Sequence, residues 1–313
     1  MGAQLVRFRY QGELGWGLVD GDEVRVLADR TDTLAAVLES ARDGRPGPGR
    51  LSLNDLQLMS PVTRDGDFVC QATNYRSHLA EIGRDPDHVP FNVFFHKASS
   101  SICGPTDDIV KPAHVTLLDY EVELALVIGR DISGPIDATE DTLGQWVCGL
   151  VITNDVSARD IQISHEQFNK AKSYRTFGPT GPWLWLAEGD ELTRWRELRL
   201  TLKVNGEERQ NSLASDMVFG PVETLNELSR IRDLKPGDMI ATGTPSGVAL
   251  TLPSKEVMAA SRTATPAERY AMFLESQQAV SKYLKPGDII EAAIRTDDGR
   301  IDLGVQRNRV VDA

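Results

Sequence analysis

Short strand-forming runs at 67–72, 122–130, 147–155, 182–187, 198–204, 238–242, 288–295 and 301–311 dominate this chain. Helical periodicity is confined to 74–82, 221–232 and about 255–283. A doubly wound sheet needs a helix after nearly every strand, and that alternation is missing. The expected fold class is α+β and β-rich.

A smaller unit precedes this body. Residues 4–27 alternate apolar and polar side chains, with turn glycines at 12, 15, 17 and 21. "TDTLAAVLESAR" (31–42) carries a Thr/Asp cap and helical spacing of Leu34, Val37, Leu38 and Ala41. "DGRPGPGR" (43–50) reads as a linker or exposed loop. The expected division is a small N-terminal domain over 1–62 and a catalytic-sized domain over 63–313, with a helical insertion at about 250–283. "LKPGDMI" and "LKPGDII" read as two similar type II turns, each launching a strand.

A net charge of −12 argues against nucleic-acid and anionic-membrane partners and is compatible with a metal cation. The three cysteines form no CxxC pair, so neither a disulfide framework nor a zinc knuckle is expected. The N-terminus lacks the apolar block of a signal peptide, and no apolar run nears the roughly 18 residues of a membrane span. A cytoplasmic protein is the expectation.

Within "LDYEVELALVIG" (118–129), Glu121 and Glu123 interrupt an apolar strand. Residues two apart share a face, so the two carboxylates lie about 7 Å apart along the chain. On the pair alone, a solvated edge strand accounts for them as well as a site does. Asp155, ending the apolar run of "VCGLVITNDVSARDIQ", shifts that balance. Three carboxylates together repel one another unless a cation neutralises them. Oxygen ligands without Cys or His point to Mg²⁺, with Mn²⁺ or Ca²⁺ as alternatives.

In "NYRSHLAEIG" (74–83), Asn74 is expected to cap a short helix that sets His78 and Glu81 on one face. The pair suits a general base, although an isolated HxxE is more commonly an exposed surface pair. Arg159, Lys170, Lys172 and Arg175 concentrate positive charge just after Asp155, as an anion site or an ordinary basic loop. "MIATGTPSGV" is no phosphate loop, since no Gly-Lys-Ser/Thr follows, yet its backbone N–H groups and Thr244 are able to hold an anionic or carbonyl group.

In order, "NYRSHLAE", "LDYEVELALVIG", "NDVSARDIQ", "KSYRTFGPTGP", "VNGE", "LKPGDMIATGTPSGV" and a closing "LKPGDIIE…NRVV" resemble the fumarylacetoacetate hydrolase family from about 67 to 311. The resemblance implies a mixed β-roll catalytic core and a homodimer. It implies metal ligands at Glu121, Glu123 and Asp155, a water-activating dyad of His78 and Glu81, and an active-site Lys172. Tyr75, Arg159, Gln162, Gly243 and Thr244 fall at positions of the substrate pocket or its support. Three departures stand out: Ala72 and Thr73 where the family often has glycine, Arg175 where aspartate is frequent, and a longer segment between Gly247 and Leu284.

The implied reaction is metal-dependent hydrolysis of a carbon–carbon bond in a small anionic β-diketo acid of the acylpyruvate type, through an enolate. The alternative is isomerisation, tautomerisation or decarboxylation of 2-oxo or hydroxymuconate-type diacids. A non-catalytic protein that keeps the metal site is the reading from another class, and the presence of both His78 and Glu81 weighs against it.

Overall fold

Val122–Ile128 runs through the interior of an eleven-stranded sheet, antiparallel to Val147–Asn154 on one side and to Met239–Ala241 on the other. The computed structural model describes residues 2–28, 31–43, 46–165 and 167–313. Beyond Met239–Ala241 the sheet continues through Phe68–Ala72 to Val93–Lys97. In the other direction it passes through Leu184–Leu186 to Ala3–Tyr10 and the N-terminal hairpins. Backbone pairing is therefore continuous across the two units expected from the sequence.

The strand is apolar on successive positions because both of its faces are covered. Leu124, Leu126 and Ile128 join Leu198, Leu200 and Leu202 of a second, five-stranded sheet in one core. Ala125 and Val127 pack on the opposite side with Leu34, Val37 and Leu38 of helix Leu34–Asp43. That helix starts as its spacing predicts, with Thr33 Oγ1 accepting from Ala36 N at 3.3 Å.

The architecture is α+β and strand-rich, as expected, with local differences. Residues 46–50 are not a loop: Pro46–Ser52 is an edge strand paired with Glu23–Leu27, a place where proline's missing donor is tolerated. Residues 44 and 45 of that stretch lie outside the described residues. The polar stretch Glu207–Leu213 is also a strand, folded onto Leu198–Val204 through Asn205 and Gly206. Both turn residues have positive φ (52° and 82°), the geometry of a type I′ hairpin. The helical insertion is two helices, Lys255–Ser261 and Pro266–Gln277. Thr265 and Glu268 form a capping box at the start of the second, and Pro266 occupies its first position. Both Lys-Pro-Gly-Asp turns form as expected, with Gly237 and Gly287 at φ 91° and 97° and each Asp N–H donating to the Lys carbonyl at 3.0 Å.

No described helix is long and apolar enough to cross a membrane.

Candidate active site

The strand end that leads into Val122–Ile128 brings Glu121 opposite Asp155, whose N–H donates to the Glu121 carbonyl at 2.8 Å. Glu123 lies two residues on, on the same face. One oxygen from each of Glu121, Glu123 and Asp155 falls within 4.8 Å of the others, and all three residues are at least 95% buried. The solvated-face account of the two glutamates is thereby removed.

Their surroundings are unequal. Glu121 contacts Arg159 Nη2 through one oxygen and Lys172 Nζ through the other. Burial alone would raise its carboxyl, but Arg159 and then Lys172 outweigh that and hold it at about 2. Asp155 is gripped from both sides, by Lys97 Nζ at 2.5 Å and Lys172 Nζ at 2.6 Å. Burial would lower the Lys172 ammonium, yet Asp155 and Glu121 keep it raised. Glu123 has no cationic side-chain partner among the described residues; only Gly243 N donates to it, at 2.9 Å. Burial, then Asp155, then Glu121 push its carboxyl well above the usual range.

Asp119, Glu121 and Asp155 thus share three buried cations, Lys97, Arg159 and Lys172. The donor set is all hard oxygen, and Glu123 is left without a cation of its own. These residues fit a divalent cation of the Mg²⁺ type on donor chemistry.

His78 and Glu81 lie on helix Arg76–Glu81 with His78 Nδ1 3.0 Å from Glu81 Oε2. His78 is 7% exposed and lines one pocket with Glu121, Glu123, Arg159, Gln162 and Lys172. Asn74 does not cap this helix. Its side chain instead donates to the Phe219 and Thr242 carbonyls and accepts from Phe219 N. Asp216, 139 residues away in sequence, takes the capping role by accepting from Ser77 N at 3.0 Å and Ser77 Oγ at 2.5 Å.

The loop after Met239–Ala241 holds carboxylates belonging to the protein itself. Gly243 N serves Glu123, and Gly247 N donates to Glu81 Oε1 at 3.0 Å. Both glycines have positive φ (86° and 106°), and a Cβ on Gly247 would sit 1.9 Å from the Arg209 carbonyl oxygen. Thr244 lines the pocket, with its hydroxyl donating to the Val122 carbonyl and accepting from Gln210.

Of the basic cluster, Arg159 and Lys172 turn inward while Lys170 and Arg175 are exposed. Arg159 donates to Asp119 through Nε, to Gln162 through Nη1 and to Glu121 through Nη2. Tyr75 is fully buried in the main core and is not on the pocket wall. Sequence reasoning missed Lys97, Asp119 and the stacked pair Phe95–Phe168, whose rings line the pocket. Only Asp119 carried a signal, as an acidic residue two positions before Glu121 in a strand. Thr73, at the departure from the family's glycine, lines the pocket with φ 52°, a backbone region that β-branched residues avoid.

Comparison with known proteins yields a match to the fumarylacetoacetate hydrolase C-terminal model over residues 67–311 and to an Rv2993c-like N-terminal model over 4–61. A provisionally named hydrolase of Burkholderia multivorans is 37% identical over 255 residues, 79% of this chain and 88% of its own. The oxaloacetate tautomerase YisK of Bacillus subtilis is 39% identical over 199 residues, 63% of this chain and 64% of its own. Among solved structures, fumarylacetoacetate hydrolase from Exiguobacterium antarcticum superimposes with a TM-score of 0.75 at 30% identity, covering 99% of this chain and 100% of that one.

Proposed function

Because the chain belongs to the fumarylacetoacetate hydrolase family of enzymes, we propose that it hydrolyses a carbon–carbon bond in a small β-diketo acid of the acylpyruvate type. The single observation that carries the reading is His78, braced by Glu81, in the wall of the pocket that holds Glu121 and Glu123. A hard divalent cation, held by Glu121, Glu123 and Asp155, would supply Lewis-acid polarisation of the substrate's 2-oxo carbonyl.

The chain's own residues do the rest. Glu81 accepts from His78 Nδ1, which leaves Nε2 as the proton acceptor. Nε2 takes a proton from water, and the resulting hydroxide adds to the distal carbonyl carbon. The carbon–carbon bond then breaks and its electron pair passes to the 2-oxo fragment as an enolate. His78 returns the proton to carbon, giving a carboxylic acid and a 2-oxo acid. Lys172 counters negative charge as it develops. Arg159, bonded to Asp119, Glu121 and Gln162, serves by fixing Glu121 and Gln162.

A second reading, tautomerisation of a 2-oxo diacid, uses the same base on a carbon-bound proton. The 39% identity to an oxaloacetate tautomerase favours it. Turnover of a panel of acylpyruvates, oxaloacetate and hydroxymuconate diacids with Mg²⁺ in ¹⁸O-labelled water separates the two. Label in a released carboxylate supports hydrolysis, and solvent proton exchange without label supports tautomerisation. Failure to turn over any of them overturns both. The homodimer implied by the family is part of the proposal and is tested by light scattering.

A further inference from the structure

A second cavity neighbours the acidic pocket and is mostly apolar, with Arg269, Tyr270, Thr251 and Ser261 as its polar side chains. The same two short helices wall both. Arg76–Glu81 contributes His78 to the acidic pocket, and Ile82, the residue that caps its C-terminal end, lines the groove. The Ile82 N–H donates to the His78 carbonyl at 3.0 Å, which sets Ile82 one turn beyond His78. On the facing wall Gln162 lines the acidic pocket and Ile163, its neighbour, lines the groove. The remaining wall comes from the segment between Gly247 and Leu284, through Leu252, Met258 and Phe273. Helices Arg159–His165 and Pro266–Gln277 pack together, which fixes that wall against the site.

Ile163, Leu252 and Met258 are 39%, 45% and 37% exposed, although the charged side chains around the acidic pocket are buried. Water-exposed apolar side chains gathered in a concave surface mark a ligand-binding groove. The acidic pocket has the chemistry for a 2-oxo acid head. Whatever extends from that head between His78 and Gln162 meets Ile82 and Ile163.

Resting on the proposed function, we infer that this groove seats the distal part of the substrate, and that this part is an aliphatic chain. The helical segment is then what selects substrate length. Each methylene seated in the groove should tighten binding by up to about fourfold.

The test is calorimetric binding of pyruvate, 2-oxobutyrate, 2-oxohexanoate and 2-oxooctanoate to the full chain with Mg²⁺. The expected result is an affinity that climbs at every step of the series. In a Leu252→Asp, Met258→Asp variant, both sites being exposed, the slope with chain length should collapse. Affinity that is flat with length in the native chain, while pyruvate binds, overturns this inference and leaves the proposed function standing. A slope that survives in the variant overturns it too. If no member of the series binds, the proposed function fails and this inference with it. Light scattering on both proteins covers the remaining occupant: loss of a dimer in the variant would assign the groove to a second copy of the chain and overturn the inference.

Discussion

Gly247 donates its backbone N–H to Glu81 Oε1 at 3.0 Å, while the other oxygen of the same carboxylate meets His78 Nδ1. A loop glycine therefore sets the orientation of the imidazole from more than 160 residues away in sequence. Gly247→Ala should be severe, because φ is 106° and the added Cβ would fall 1.9 Å from the Arg209 carbonyl oxygen. A displacement on the order of 1 Å at Glu81 is expected to lower kcat about 100-fold. Thermal unfolding measured beside kinetics checks it. A native melting temperature with native kcat would contradict this coupling.

Lys97 holds Asp155 from the side away from Lys172 and also donates to the Phe177 carbonyl at 2.6 Å. Its side chain is fully buried. Lys97→Met leaves Asp155 buried with one cation fewer, at a cost of about 3–5 kcal/mol of folding free energy. Because Lys97 orients a candidate ligand, Mg²⁺ affinity should also fall roughly 10- to 100-fold. Urea unfolding with and without Mg²⁺ measures both, and an unchanged metal dependence would remove Lys97 from the site.

The raised Glu123 carboxyl gives metal binding a pH dependence. Burial and its acidic neighbours keep it protonated to higher pH than in the unfolded chain, so ionising it disfavours the metal-free folded state. Stability without metal should therefore fall as pH rises from the usual carboxylate range through the raised value. A cation must displace that proton, so Mg²⁺ affinity should rise over the same window. Calorimetry in buffers of different ionisation enthalpy reads the proton released, about one per cation. Glu123→Gln should weaken binding and abolish the release; release that persists would assign the proton to another group.

What the sequence reveals of this site divides by distance along the chain. The shared face of Glu121 and Glu123 follows from strand alternation, and Asp155 from the end of an apolar run. His78 and Glu81 follow from helical spacing of three. Lys97 gives no such signal: "VFFHKASS" reads as an ordinary strand end, and its partner is 58 residues on. Asn74 looks like a helix cap locally, but tertiary contacts with Phe219 and Thr242 claim it and Asp216 replaces it. The fold divides similarly. Strands such as Leu198–Val204 are legible because apolar and polar residues alternate along them. Pro46–Ser52 and Glu207–Leu213 are hidden because edge strands tolerate proline and polar side chains.

The central claim separates the metal from the base, and one paired experiment on His78→Ala addresses both. Mg²⁺ binding is titrated by calorimetry, and acylpyruvate hydrolysis is followed in the same preparation. Mg²⁺ affinity should stay within a few-fold of the native value, since His78 makes no bond to Glu121, Glu123 or Asp155. Hydrolysis should fall by roughly 10²- to 10⁴-fold, the usual contribution of a positioned general base. Hydrolysis at the native rate in His78→Ala would contradict the account.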